Sequence, residues 1–424
     1  MSELGVFDPD LYARGDPWQS GLPLELFAAL RAEQPCFWQS LTAEPMFIDG
    51  VWVVTRYADV LAMIRDTARF SNRAGTSVRR FDPTVAACGG KPTMVSMDGA
   101  VHRNNRTVTS KMFSLRATQA FEQQFRAIAA RLIERALDKE RVDFIKDVAC
   151  YMPLDAMSDI LGIPVEDREQ ILAWTNLVAV PLDPHVTPTR RNFEDALEGL
   201  WGYGLKLAER RLGEPDDRVM TAVAKGRAEG RLSDDEVCGY MLQLAAAGNE
   251  TTRNAIAFGL LALLQRPEQM ALVRAQGTMA SSAIEEILRW SSPTVHTVRI
   301  ALEDVTLHGA TIRSGDPIAL MLGSANFDPA HFDRPELFDV MRAANEHIAF
   351  GSAAHTCLGL HVARLELKVM FEELLRRAGS ITLDGPVELV RDNLIHGIRT
   401  MPLRMSRAAA RARLTEPLLS ELRA

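Results

Sequence analysis

Between Phe350 and Gly359 the sequence is FGSAAHTCLG, a glycine-containing loop that carries Cys357 to the start of a predicted helix, about Leu358–Arg377. A thiol near a helix N-terminus is expected to have a lowered pKa, because the helix dipole and the free amides favour the thiolate. A thiolate is the form in which cysteine binds iron. A lone cysteine in such a place is more often a buried core thiol, so the loop has to be interpreted together with the motifs before it.

The longest predicted helix carries a second motif. Ser233 and Glu236 form a capping-box pattern, S-x-x-E, ahead of an apolar-periodic run that meets no proline until Pro267. The helix is expected to span about 30 residues, or roughly 45 Å, and to cross the centre of the protein. Its middle is AGNETT at 247–252, where buried polar side chains need partners or a function. The alternative is a helix kink with a back-bonded threonine.

A third motif, Glu286-x-x-Arg289, places an acid and an arginine one turn apart on a predicted helix that Pro293 ends. Such i,i+3 pairs are common on helices and carry little information alone. The order of the three motifs along the chain is far more specific than any one of them.

In this order the motifs resemble those of the cytochrome P-450 family of thiolate-haem monooxygenases. The resemblance covers about residues 95–405 and includes SANFDP at 324–329. The helix motif matches A-G-x-[DE]-T-[TS] in full, and the loop matches F-G-x-G-x-H-x-C-x-G except that Ala353 replaces the second glycine. If that position has a positive φ, alanine costs on the order of 1 kcal/mol there.

The resemblance implies a mainly α-helical fold with small β-sheets, in which haem lies between the long distal helix and the proximal helix after Cys357. The chain shows no repeat, low-complexity tract or long linker, so residues 1–424 are predicted to form one domain. Helical periodicity predicts further helices at 23–33, 58–66, 115–138, 153–161, 168–178, 193–211 and 216–229, and short strands are expected near 46–55, near 305–312 and in the last fifth.

The resemblance also implies roles for individual residues. Cys357 is expected to be the axial ligand of haem b iron, and Glu250 and Thr251 the acid–alcohol pair that delivers protons to the co-substrate O2. The other expected haem contacts are His102, Arg106, Arg299 and His355 at the propionates, and Ala247, Gly248, Phe350, Gly351 and Gly359 around the ring.

A structural ion pair is expected beneath the haem. The resemblance assigns it to Glu286 and Arg289. Its third member is Arg342 if any, because Leu337 stands where many relatives have arginine.

The substrate pocket is expected to be apolar. This favours a sterol, a terpenoid or a branched lipid, the substrates of the bacterial branch that the motifs resemble most. An aromatic carboxylic acid, hydroxylated or O-demethylated, is the alternative, anchored by Arg73, Arg79 and Arg80. His296 would either bond the substrate or simply pack. The pocket residues predicted are Met94, Val95, Leu244, Val295 and Val298.

Composition limits the class of protein. The chain has 424 residues, is 47% apolar and carries a net charge of −7, which disfavours a nucleic-acid binder held mainly by phosphate contacts. The sequence contains no uninterrupted apolar run of about 18 residues, the length that a membrane span requires. Five scattered cysteines without a CxxC pair disfavour disulfides and a closed zinc site, and favour the reducing cytoplasm.

Electrons have to come from other proteins, since no flavin, dinucleotide or iron–sulfur fingerprint accompanies the haem motifs. The resemblance implies a ferredoxin, or a flavodoxin, with an NAD(P)H-dependent reductase. A haem-binding or sensing protein without turnover is the alternative of another class, and Glu250 and Thr251 argue against it because a sensor needs no proton relay. The predicted docking cations are Arg103, Lys111, Arg342, Arg364 and Lys368.

Overall fold

The computed structural model describes residues 6–13, 21–42, 48–78 and 91–408. Helices dominate, as expected. They are α1 (Pro9–Ala13), α2 (Leu24–Glu33), α3 (Tyr57–Arg65), α4 (Gly99–Thr107), α5 (Leu115–Gln119), α6 (Glu122–Leu137), α7 (Tyr151–Leu161), α8 (Arg168–Ala179), α9 (Arg190–Gly213), α10 (Val219–Ala228), α11 (Asp234–Gln265), α12 (Pro267–Gln276), α13 (Ser281–Ser291), α14 (Leu322–Ala325) and α15 (Leu360–Arg377).

The strands are short and form small sheets. They are β1 (Cys36–Ser40), β2 (Gly50–Val54), β3 (Phe70–Ser71), β4 (Val142–Asp143), β5 (Thr297–Ala301), β6 (Val305–Leu307), β7 (Ala310–Ile312), β8 (Pro317–Leu320), β9 (Ala378–Leu383), β10 (Glu388–Leu389), β11 (Ile398–Thr400) and β12 (Pro402–Arg407). One sheet has the order β1-β2-β8-β5-β3, another β4-β12-β9, and the remaining strands form the pairs β6-β7 and β10-β11.

The long helix α11 has 32 residues and begins with the predicted capping box. Ser233 Oγ accepts from the Glu236 amide at 3.2 Å, and the Glu236 carboxylate accepts from the Ser233 amide at 2.8 Å. The helix packs against α7, α8, α9, α13 and α15, and most of its residues are buried. The predicted central helix is therefore confirmed, and its middle lies where neighbouring helices meet.

Two details of the predicted helices are wrong. The single helix predicted at 115–138 is two helices, because the chain turns at Ala120 and Phe121, where Phe121 stacks on Phe125. The helix after the cysteine begins at Leu360 and not at Leu358. None of the described helices is both long enough and apolar enough to cross a membrane.

Candidate active site

A cavity of about 270 Å³ lies between α11 and the loop that precedes α15. Residues of the helix motif and of the cysteine loop, which are about a hundred residues apart in sequence, both line this cavity. Thr251 and Cys357 both line it, and so does Leu288 of the helix that carries the third motif. The α11 side of the wall consists of Gln243, Leu244, Ala247, Gly248, Thr251, Thr252 and Ala255.

The cysteine loop is held by its own backbone. The Cys357 amide donates to the Phe350 carbonyl at 2.8 Å, and the Thr356 amide donates to the Ala353 carbonyl at 3.2 Å. Gly351 has a φ of 67° and Ala353 a φ of 57°, so both occupy the left-handed region. The position at which this chain departs from the family pattern thus requires the conformation that favours glycine.

The expected lowering of the Cys357 pKa is not found. Burial raises the pKa of this thiol, and the opposing effects of the Gly359 amide, Arg106 and Arg364 do not reverse it. The helix dipole acts only within the first turn, and α15 begins three residues after the cysteine. Cys357 is one of four free thiols among the described cysteines, and Cys88 lies outside the described residues.

Four nitrogen bases line one side of the cavity: His102, Arg106, Arg299 and His355. The two histidine rings stack with their centroids 4.0 Å apart. Burial lowers the pKa of Arg299 to about 10, which Asp98 only partly opposes. Burial and the neighbouring bases lower the pKa of His355 to about 3. The four bases together therefore favour the binding of an anion at this side of the cavity.

Two of these bases have unused hydrogen-bonding atoms. His102 Nε2 and Arg299 Nε are buried and have no hydrogen-bond partner among the described residues. Arg106 instead donates to the Thr356 carbonyl at 2.6 Å, which ties α4 to the cysteine loop. A haem group fits this arrangement, because its two propionates would satisfy the bases and the Cys357 thiol of the same cavity would supply a ligand for its iron.

Glu250 and Thr251 do not point in the same direction. Thr251 lines the cavity and its hydroxyl donates to the Ala247 carbonyl at 2.8 Å. The Glu250 side chain is only 4% exposed, and its carboxylate pairs with Arg253 and accepts from Asn254 Nδ2 at 3.0 Å. The acid of the predicted pair is thus held away from the alcohol, on another face of α11.

The back-bonded threonine that the sequence offered as an alternative is Thr251, whose hydroxyl bonds the carbonyl of Ala247 in the preceding turn. Gly248, in the same turn, has a packing role. A Cβ on Gly248 would lie 2.9 Å from the Met157 side chain, which belongs to α7 and lines the same cavity. The Met157 side chain therefore packs closely against this part of α11, where Gly248 also lines the cavity.

Glu286 and Arg289 form an ion pair at 2.8 Å with both side chains 0% exposed. Arg342 donates to Glu286 Oε2 at 3.0 Å, so it is the third member. The Leu337 carbonyl accepts from both arginines.

The predicted pocket residues divide into two groups. Met94, Val95 and Leu244 line the cavity, but Val295 and Val298 do not. Alternate residues of a strand face opposite sides, and in β5 Thr297 and Arg299 face the cavity. Val298 faces a second cavity of about 290 Å³, and Val295 packs near Gly323.

Of the three anchors predicted for an aromatic acid, only Arg73 lies within the described residues. Arg73 does not line the cavity, and Arg79 and Arg80 lie outside the described residues. His296 packs edge-on against Phe7 with ring centroids 5.1 Å apart, and it too is not part of the cavity wall.

Three of the predicted docking cations are held by acids. Arg342 pairs with Glu286, Arg364 with Glu285 at 2.7 Å, and Lys368 with Glu122 at 2.9 Å. Arg103 and Lys111 are exposed, with no ion-pair partner in the described part of the chain.

Glu366 and Gln243 are two of the wall residues that were not predicted. Glu366 is 0% exposed, lines the cavity, and has two carboxyl oxygens without a hydrogen-bond partner in the described ranges. Burial raises its pKa well above the ordinary 4.5. Helical spacing could have found both, since Glu366 lies seven residues after Gly359 and Gln243 four before Ala247.

Ala353→Gly is expected to stabilise the protein by about 1 kcal/mol, because glycine carries no penalty for the positive φ at this position. The free energy of unfolding in urea measures the effect. Ala354→Gly is the matched control, since its neighbouring position has no positive φ and glycine there should destabilise. Equal destabilisation by both changes would contradict the expectation.

Glu366→Gln is expected to stabilise the protein increasingly as pH rises. Folded Glu366 keeps its proton while the unfolded chain releases it above about pH 4.5, so wild-type stability falls with rising pH by up to about 1.4 kcal/mol per unit. Glutamine removes this cost. Urea unfolding at about pH 5.5 and about pH 7.5 measures the difference.

Glu372→Gln on the same helix is the control for that experiment. Although burial alone would raise the pKa of Glu372, hydrogen bonds from Thr278 and Arg126 lower it. This variant should therefore lose stability at the higher pH, the opposite sign. A pH-independent effect of Glu366→Gln would show that the buried carboxyl is not held neutral.

The chain is similar in sequence to a known family and to characterised members of it. A family model described as Cytochrome P450 matches residues 45–378. The steroid C26-monooxygenase of Rhodococcus jostii is 33% identical over 401 residues, which cover 92% of this chain and 82% of that protein. The methyl-branched lipid omega-hydroxylase of Mycobacterium tuberculosis is 33% identical over 413 residues, 95% of this chain and 94% of that protein.

A solved structure agrees with the fold. The Mycobacterium marinum cytochrome P450 in complex with pseudoionone has a TM-score of 0.87 and 30% identity, and the match covers 95% of this chain and 98% of that one. The predicted fold class is therefore confirmed. This chain belongs to the cytochrome P450 family of monooxygenases, in which haem is bound by a cysteine thiolate and O2 is the co-substrate.

Proposed function

We propose that this chain, acting as a single domain in the cytoplasm, inserts one oxygen atom of O2 into a C–H bond of a sterol, terpenoid or branched lipid. The observation that carries the proposal is the division of the cavity. The bases lie on the side of α4 and the cysteine loop, while the rest of the wall is mostly apolar. Relatives named for steroids and methyl-branched lipids support this substrate class.

Cys357 is the proposed axial ligand, with the Gly359 amide at its sulfur. His102, Arg299 and His355 would hold the haem propionates together with Arg106, because these bases meet at one edge of the cavity. The ring would be enclosed by Ala247, Gly248, Phe350 and Gly351. Haem bound by a thiolate supplies the activation of O2 once two electrons are delivered.

Thr251 is the proposed proton donor inside the cavity. Its hydroxyl proton is held on the Ala247 carbonyl, and rotation about χ1 would turn it toward the cavity. Glu250 would replace that proton from solvent after its carboxylate leaves Arg253. The separate orientations of the two side chains make this a relay in two steps.

We propose that a ferredoxin, or a flavodoxin, with an NAD(P)H-dependent reductase delivers the electrons. Arg103 and Lys111 support docking beside α4, since both are exposed and Arg106 of the same helix contacts the cysteine loop. Complementary charge would speed encounter with an acidic partner.

The substrate class is tested by titrating the ferric protein with sterols, terpenes, branched fatty acids and aryl carboxylic acids. A substrate that displaces water from the iron shifts the Soret band to shorter wavelength. A saturable shift with one of the first three classes is expected, since their apolar surface matches the wall. A shift with aryl acids alone would overturn the substrate proposal.

Thr251→Ala is expected to keep the haem spectrum but to divert electrons to hydrogen peroxide, because the proposed proton donor is lost. With surrogate ferredoxin, reductase and NADH, product per NADH should fall by at least about tenfold. Thr251→Ser keeps the hydroxyl and serves as the control. Unchanged coupling in the alanine variant would refute the relay.

A further inference from the structure

We propose that the ion pair between Glu285 and Arg364 sets the reduction potential of the haem iron, because Glu285 cancels a positive charge that Arg364 holds behind Cys357. The inference rests on the proposed function, since it assumes that Cys357 binds the iron. It adds to that function a positioning residue, Glu285, which controls electron uptake although it lines no part of the cavity.

The pair is held in place by several hydrogen bonds. Arg364 donates from Nε to Glu285 Oε1 at 2.7 Å and from Nη2 to Oε2 at 2.8 Å, the bidentate form of contact between arginine and a carboxylate. The Ala349 amide donates to His347 Nδ1 at 3.3 Å. The Nε2 atom of that ring therefore carries the hydrogen, and it lies 3.1 Å from Glu285 Oε2. The two charges thus have fixed positions.

Both members of the pair are charged at neutral pH. Burial alone would raise the pKa of Glu285, but hydrogen bonds from His347 and Arg364 lower it to about 2. An arginine keeps its proton in proteins. The side chains are 23% exposed for Glu285 and 34% exposed for Arg364, so solvent screens their charges only in part.

The pair lies directly behind the cysteine loop. The Arg364 guanidinium is 4.8 Å from the centroid of the Phe350 ring, and Phe350 lines the cavity whereas Arg364 does not. The Phe350 carbonyl accepts the hydrogen bond of the Cys357 amide at 2.8 Å. Arg364 and Arg106 are the two cations that oppose the rise in the Cys357 pKa caused by burial. The charge of Arg364 therefore acts on the sulfur atom.

The other cation, Arg106, has a different partner. It donates to the Thr356 carbonyl at 2.6 Å, and within the described ranges it pairs with no carboxylate; a haem propionate would supply one. Arg364 already has its carboxylate in Glu285. The net charge behind the thiol therefore depends on Glu285.

Reduction of ferric to ferrous haem adds one electron, so a positive charge nearby stabilises the reduced form. Charges and hydrogen bonds around the ligands of a metal tune its potential in this way. With Glu285 in place, the charge of Arg364 is largely cancelled. Removing the carboxylate would leave the iron close to one additional unit of positive charge, and the iron would be easier to reduce.

The test is a potentiometric titration of the haem-loaded protein with dithionite and mediator dyes, followed in the absorption spectrum. A pH of about 8 is used, where histidine is ordinarily neutral. Glu285→Gln is expected to favour reduction by about tenfold, which is a rise of about 59 mV for a one-electron couple. The measurement needs neither substrate nor partner protein, so it is independent of turnover.

Two variants serve as controls. Glu285→Asp keeps the charge, and its equilibrium constant for reduction should stay within about twofold of the wild type. Glu122→Gln is the matched control, because it removes a carboxylate that pairs with another cation of α15, Lys368, at 2.9 Å. Lys368 is not among the groups that act on the Cys357 pKa, so this change should also be less than about twofold.

The double variant Glu285→Gln/Arg364→Gln separates charge from mechanical support. Both charges are then absent, so the potential should return toward that of the wild type. If the pair only supported the loop, the double variant would differ from the wild type at least as much as Glu285→Gln does. If Glu285→Gln does not hold haem, Arg364→Gln is the second variant. It should lower the potential, because the Glu285 carboxylate is then left without its arginine.

The proposal is overturned by an unchanged or lowered potential in Glu285→Gln, or by a double variant that stays as far from the wild type as the single one. Failure of the proposed function looks different. The ferrous wild type with carbon monoxide would then lack the red-shifted Soret band that a thiolate ligand gives, and Cys357→Ser would leave the spectrum unchanged.

Discussion

The buried pair of Glu286 and Arg289 is the interaction on which the rest of the site depends. Both side chains are 0% exposed, and breaking a pair of this kind by removing one partner is strongly destabilising. Arg289 also donates to the carbonyls of Asn326 and Pro335, each at 2.9 Å. Glu286 accepts from the Asp339 amide at 2.9 Å. Two charges on α13 thereby fix a long irregular segment before the cysteine loop.

A second pair on α13 extends this control to the loop itself. Burial alone would raise the pKa of Glu285, but hydrogen bonds from His347 and Arg364 lower it to about 2. The Arg364 guanidinium lies 4.8 Å from the centroid of the Phe350 ring. The Phe350 carbonyl in turn accepts a hydrogen bond from the Cys357 amide. The position of the thiol is therefore set by charged groups behind it, and the cavity in front is left to the ligand.

The sequence predicted the fold and the neighbourhoods of the site better than the directions of side chains. Spaced motifs placed α11, α13 and the cysteine loop correctly, because capping and helical periodicity are local properties. Val298 was assigned to the wrong face because the phase of a short strand depends on its neighbours in the sheet. The direction of the Glu250 side chain could not be predicted, because the pairing of its carboxylate with Arg253 depends on the three-dimensional surroundings of both residues. Glu366 and Gln243 escaped notice because polar residues on an apolar helix face belong to no motif.

The position of Arg253 has one more consequence. It stands one turn from Glu250 on α11, so moving the helix as a rigid body leaves the distance between the two charges unchanged. Arg253 also donates to Asn176 Oδ1 at 2.8 Å, and Asn176 belongs to α8, the helix that leads into the proline-rich connection to α9. Displacement of α8 would remove that bond and leave Arg253 held by fewer contacts. If Glu250 carries protons as proposed, its freedom to do so is tied to the position of α8, a helix that contributes no residue to the cavity wall.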